Sequence, residues 1–211
     1  TWAKSFGGSD DDALIKVVQT QDGGYAVVGY VSSSTVKYDG NVVAALSKTG
    51  KEANLAHKDA VIIKLDSSGN YVWGARFGGL ADEEIMSVIQ TSAQDIVVVG
   101  KYYSDTFNFY STGSTTVADS FTNPGKMSGF VAAYSSSGQY KWSQSIGGSY
   151  DDEATAITET TAGIVVAGDG MSTMYLNTDR SASIAAASSS YTSGFLVGYT
   201  LDGTYSWNNL L

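Results

Sequence analysis

Three stretches of this chain carry one pattern. Each has an aromatic strand ending in Gly, an acidic turn, a strand closing on Thr, a second turn and an apolar strand closing on Gly. They occupy residues 2–29, 73–100 and 142–168 and align almost without gaps. Gly8, Gly79 and Gly148 are followed twelve residues later by Thr20, Thr91 and Thr160, and Gly69, Gly138 and Gly203 each stand four residues before a tryptophan (Trp73, Trp142, Trp207). Only the hairpin after Thr160 is one residue shorter. A supersecondary unit repeated in this way cannot bury its faces alone and must stack on its neighbours.

The local chemistry within each unit is that of strands. Residues 13–20 are mostly β-branched and aliphatic between turn residues, as a short strand requires. Gln21-Asp22-Gly23-Gly24 is a hairpin signal of the Asp-Gly type, because positive φ costs glycine nothing. Residues 25–29 (YAVVG) are almost continuously apolar, which predicts burial on both faces. Residues 59–66 (DAVIIKLD) form a further strand, turned by Ser67-Ser68-Gly69-Asn70 into the strand of Trp73. The chain thus divides into units of about 2–72, 73–141 and 142–206, and residues 207–211 begin another Trp strand.

Longer polar segments at 30–58, 101–127 and 169–192 interrupt the units. Each has a β-like patch six residues after its glycine: Thr35-Val36-Lys37-Tyr38, Thr106-Phe107-Asn108-Phe109 and Met174-Tyr175-Leu176-Asn177. These are either an added outer strand or hairpin on each unit, or exposed loops. Residues 51–58 read as loop or a single turn, being too few to hold a helix unaided.

With 43% hydrophobic residues among 211, the chain can bury roughly 70% of the surface its unfolded form exposes. A net charge of −9 argues against nucleic acid or an anionic membrane as partner. There is no cysteine, so neither disulfides nor thiolate chemistry are available. No apolar run approaches 18 residues, which argues against membrane insertion. The acidic, Gly/Ser/Thr/Tyr-rich composition fits an extracellular or cell-surface location. A chain that begins at Thr1 and stops shortly after Trp207 reads as a processed or excised piece.

Among candidate sites, the acidic pairs Asp11-Asp12, Asp82-Glu83 and Asp151-Asp152 stand at equivalent places after the Gly-Gly turn. Grouped carboxylates on a Gly-bounded loop are the ligands Ca²⁺ prefers. The alternative is that the acids cap their own turns. It is preferred, because no pair has the interleaved D-x-D-x-D-G spacing of a Ca²⁺ loop. The recurring tryptophans favour packing between sheets. Tyr30, Tyr38, Tyr102, Tyr103 and Tyr110, set amid Ser, Asn and Gly, are the candidate ligand-binding residues. His57, the only histidine, reads as a solvated loop residue. No catalytic residues and no cofactor are expected, since acidic pairs present in every unit look like framework.

The chain is similar to the bacterial SBBP-type β-propeller repeat family of secreted and surface proteins. The resemblance is carried by Trp73 with Phe77-Gly78-Gly79, by Thr106-Phe107-Asn108-Phe109, by residues 129–134 (GFVAAY) with Gly138 and Trp142, and by residues 61–70 (VIIKLDSSGN). It implies four-stranded blades around an axis and no single activity. The repeats depart from the family in length: Trp to Trp runs 71, 69 and 65 residues, against about 40–50 in a common blade. The fold expected is all-β: one domain, residues 1–211, of three consecutive four-stranded propeller-type blades within a larger or oligomeric propeller. A β-trefoil is the lesser alternative. Val27, Val28, Val97, Val98, Val99, Val165 and Val166 should lie buried between blades. Three blades leave two open faces, and one Trp strand is surplus. The function expected is a non-enzymatic scaffold or adhesion module that binds itself, adjacent blades, a glycan or a cell-surface protein. The alternative is a lectin using the Tyr-rich inserts.

Overall fold

The computed structural model describes residues 1–48, 57–186 and 190–211, and apart from one 3₁₀ turn at Ala44–Leu46 the regular elements there are β-strands. In chain order they begin with β1 (Phe6–Gly7), β2 (Asp12–Gln19), β3 (Tyr25–Val31), a short hairpin β4 (Lys37–Tyr38) and β5 (Asn41–Val42), then β6 (Asp59–Leu65) and β7 (Tyr71–Gly78). The second unit supplies β8 (Glu83–Gln90), β9 (Ile96–Tyr102), the hairpin β10 (Thr106–Tyr110) and β11 (Val117–Thr122), β12 (Ser128–Tyr134) and β13 (Tyr140–Ile146). The third has β14 (Glu153–Thr160), β15 (Gly163–Gly170), β16 (Thr173–Tyr175), β17 (Ser183–Ala185), β18 (Ser193–Tyr199) and β19 (Tyr205–Leu210). Residues 51–56 of the expected loop lie outside the described residues.

Three antiparallel four-stranded meanders result: β2-β3-β6-β7, β8-β9-β12-β13 and β14-β15-β18-β19. The boundaries of the sheets are offset from those of the sequence repeat. Each Trp strand closes the sheet before it, because the turn at Gly69, Gly138 or Gly203 is tight enough to pair its flanking strands, whereas the longer Gly-Gly acidic turn hands the chain on to the next sheet. Each insert contains a hairpin (β4–β5, β10–β11 or β16–β17), and each hairpin reaches back to the preceding Trp strand. Phe109 pairs with Phe77 of β7, Tyr38 with Phe6 of β1, and Tyr175 bridges to Gly147 just beyond β13. Repetition extends to irregularities: the first strand of every sheet bulges at the same step, after Leu14, Ile85 and Ala154. A bulge increases local twist, and here it presses the first strand onto a glycine two residues before the end of the second. A β-carbon on Gly29, Gly100 or Gly168 would lie 1.9, 2.0 or 2.1 Å from a carbonyl oxygen of Ala13, Glu84 or Glu153. Only glycine fits there.

The cores lie between sheets. Ala26, Val28, Ile62, Trp73 and Phe77 of the first sheet meet Ile85, Val88, Val98, Phe130 and Tyr134 of the second. Val97, Val99, Val131 and Ile146 meet Ala154, Val166, Phe195 and Tyr199 of the third in the same way. A third cluster, with Val31, Val61, Ile63 and Leu65, packs under the 3₁₀ turn and the β4–β5 hairpin. Of the seven valines expected to be buried, Val28, Val97, Val98, Val99 and Val166 are, while Val27 and Val165 are half-buried. Val165 sits on the outward face of the last sheet and Val27 on that of the first, at the rim of the third cluster, and neither is covered by another four-stranded sheet.

Candidate functional site

In each acidic pair the second carboxylate turns inward and braces the Gly-Gly turn. Asp12 accepts from the Gly8 N–H at 2.7 Å, the Ser32 N–H at 2.9 Å and the Ser33 hydroxyl at 2.6 Å. Glu83 accepts from Gly79 at 3.0 Å and Ser104 at 3.2 Å, and Asp152 from Gly148 at 2.6 Å and Met171 at 3.0 Å. The bond partners couple the acidic turn to the chain leaving the second strand, which fixes where each insert begins. Burial pushes the Glu83 carboxyl up to about 8, with Asp59 nearby adding to the effect. Burial likewise raises Asp152 to about 6, helped by Asp151 and Asp169. The first members, Asp11, Asp82 and Asp151, are exposed, and Asp82 accepts from the Lys58 N–H at 2.9 Å. Among the described residues, no three His, Cys, Asp or Glu side chains are grouped to hold a metal ion.

The five candidate tyrosines do not converge. Tyr38 is buried and its hydroxyl donates to the Gly69 carbonyl at 2.8 Å. Tyr102 is fully enclosed, stacks on Phe107 with centroids 4.7 Å apart and shares a hydrogen bond with Ser145 at 2.7 Å. These two belong to the packing, since strand alternation points them inward. Tyr30 and Tyr110 are half-buried, under the Lys58 ammonium at 4.4 Å and the Arg76 guanidinium at 5.7 Å. Tyr103 is exposed, beside Lys101, Asp82 and Glu84 in a shallow depression. A groove of about 380 Å³ that sequence reasoning did not anticipate lies beside the first insert, lined by Lys4, Tyr38, Asp39, Asn41, Asn70 and Tyr71.

His57 is not a solvated loop residue. It is 7% exposed, and its Nε2 stands 3.0 Å from Oδ1 of Asp59, which is fully buried and paired with the Arg76 guanidinium. Asp59 and Glu83 both close on Gly78, where a β-carbon would meet them at 2.7 and 2.9 Å. The result is a buried polar cluster of His57, Asp59, Arg76 and Glu83 at the joint of the first two sheets. The later units carry Ser128 and Ser193 where the first has Asp59. That departure from the repeat was the available signal.

The joint itself recurs. The Trp73 ring lies on the Gly138 turn and its indole N–H donates to the Ser136 carbonyl at 2.8 Å; Trp142 lies on Gly203 and donates to Leu201 at 2.9 Å. A β-carbon on Gly138 or Gly203 would come within 2.7 or 2.4 Å of the indole. At the hairpins between the first and second strands of the sheets the Gln21 N–H donates to Gln90 at 2.7 Å, and the Ser92 N–H and hydroxyl donate to Glu159 at 2.8 and 2.6 Å. Trp2 occupies the Gly69 turn in the same manner but is 45% exposed, and Trp207 is 40% exposed, against 5% for Trp73. A scan against protein-family models finds no match for the chain, and a search of curated proteins finds none either.

Proposed function

We propose that this chain is a non-enzymatic extracellular scaffold or adhesion module built from SBBP-type β-propeller repeats, whose variable hairpins carry the contacts with its partner. One observation carries the reading. The first strands β2, β8 and β14 touch in succession, while β10–β11 fills the space between β7 and β13, pairing with the former and touching the latter. Joints narrow on one side and wedged open on the other suit sheets arranged around an axis. The repeated Trp, Gly and carboxylate positions are spent on these joints, so what differs between units is the hairpin surface.

The test is to immobilise the chain and screen extracellular proteins and glycans. Saturable binding should disappear when residues 113–116, at the tip of β10–β11, are exchanged for Gly and Ser, with the melting temperature unchanged. Turnover of a polysaccharide that Asp152→Asn abolishes would refute the reading, as would binding indifferent to all three hairpins. The lectin reading is favoured by the groove beside the first insert, where Asn41, Asn70, Asp39 and Lys4 surround tyrosine rings, a mixture suited to sugar hydroxyls and faces. Sugar binding lost on Asn41→Ala and Asn70→Ala would select it.

A further inference from the structure

The two halves of the recurrent joint are both left open, one at each end of the chain. The forward half, met by the next sheet in the first two cases, is presented on the last sheet by Val165, Ala167 and Leu196, which are half-buried, with Trp207 and Leu211 at 40% and 73% exposure. Their counterparts on the first sheet, Ala26, Val28, Ile62, Trp73 and Phe77, are all 5% exposed or less. The receiving half is presented on the first sheet by Leu14, Val17 and Val27, beside Val61, Ile63 and Leu65, which the β4–β5 hairpin and the 3₁₀ turn cover as β10–β11 covers its counterparts in the second sheet. Leu14 and Val17 are 39% and 61% exposed, whereas their counterparts Ile85 and Val88 on the second sheet are 0% and 5%. The bonding groups match too. Thr161 occupies the place of the donor Ser92, and Gln19 the place of the acceptors Gln90 and Glu159, and both are exposed.

We propose that copies of this chain dock head to tail, the last sheet of one on the first sheet of the next, re-creating between molecules the joint made twice within each. Trp207 of the incoming copy takes the Gly69 turn, its indole N–H directed to the Ser67 carbonyl as Trp73 is to Ser136. Trp2 holds that turn in the single chain. It is held there by an edge contact with the Tyr25 ring at 5.9 Å, by Phe6 against the third cluster, by the two-residue β1, by the Lys4–Asp39 ion pair at 2.8 Å and by the Asp39 N–H donating to Ser5 at 2.9 Å. Residues 1–6 are therefore a displaceable cap on the receiving face, because the closing strand β19 of the incoming sheet needs their position. The occupant is a second copy, since both internal joints show that one half fits the other. Such a contact is heterologous, so it extends into a ring or a filament according to the rotation per copy.

This inference rests on the reading of the sheets as units joined by one recurrent interface, and the experiment separates the two. Sedimentation velocity and light scattering follow the chain from low micromolar to several hundred micromolar. Wild type should associate in a concentration-dependent way, and Trp2→Ala, which vacates the Gly69 turn, should tighten association about tenfold. Trp207→Ala spoils one face and Val17→Asp the other, so each should be monomeric alone while an equimolar mixture forms a one-to-one dimer and nothing larger. If either proves poorly folded by circular dichroism, Leu211→Asp and Leu14→Asp repeat the mixture. Monomers throughout, single variants that still associate, a mixture that does not, or an affinity untouched by Trp2→Ala would each overturn the proposal. Trp73→Ala tests the underlying joint: if it destabilises the chain while the mixture stays monomeric, docking alone has failed.

Discussion

Trp73→Ala probes the joint most directly. The indole is 5% exposed on the Gly138 turn and holds one hydrogen bond at 2.8 Å. A buried Trp covers about 150–250 Å², and replacing such a ring by alanine costs about 3–5 kcal/mol through lost transfer energy and the cavity left. For a chain of this size each kcal/mol moves the melting temperature by roughly 2–4 °C, so a fall of roughly 6–20 °C is expected. Trp2→Ala and Trp207→Ala, with nearly half of each side chain already in water, should cost about 1–2 kcal/mol. A second substitution exposes the coupling. Gly138→Ala places a methyl 2.7 Å from the Trp73 ring at φ +81°, so it is costly alone. With Trp73→Ala already in place the clash with the ring is gone, leaving the contact with the Thr112 methyl at 2.9 Å and the backbone strain, so the double variant should lose less than the sum of the single losses. Urea unfolding followed by far-ultraviolet circular dichroism at low micromolar concentration measures wild type and the five variants. A Trp73→Ala no worse than Trp207→Ala, or strictly additive losses, would refute the joint as described.

Two further outcomes are expected. Val98→Asp, at a fully buried position in the first joint, should cost several kcal/mol, about 4 or more, by burying an unpaired charge. Val165→Asp, on the open face of the last sheet, should cost far less; equal shifts in urea midpoint would contradict the assignment of faces. Stability should also fall as pH rises from about 4.5 to about 8. Burial holds the Glu83 carboxyl at about 8 in the fold against 4.5 as the ordinary value, so the folded state binds the extra proton across that window. The contribution is complete below 4.5 and lost as pH rises through 8. Asp152, raised to about 6, acts in the same direction up to that pH. Urea midpoints of wild type and Glu83→Gln between these limits provide the check: the variant should flatten the decline, and parallel curves would refute it.

What the chain's sequence determined by itself was local. The alternation of apolar runs with Gly, Asp and Asn turns specified the strands, and the recurrence of Trp, Gly-Gly and Thr at fixed offsets specified three equivalent units with hairpin inserts. These signals act over a few residues, through positive φ at Gly69 and Gly138 or the β-branched run before Thr20, and so survive in one dimension. Tertiary structure decided the rest, because burial and pairing belong to whichever neighbour arrives. Each Trp strand was legible, but its membership in the sheet before it depends on a tight turn winning over an acidic one. Val27 and Val28 are indistinguishable as letters, yet one faces the open end and the other faces the second sheet. Tyr38 and Tyr102 read like binding-loop residues until the hairpins fold back over the Trp strands and enclose them. His57 reads like a solvated residue until Asp59 and Arg76, on the consecutive strands β6 and β7, meet beneath it. In a stacked-sheet protein the period reveals what is repeated, but only the packed neighbour determines which copy of a residue lies inside.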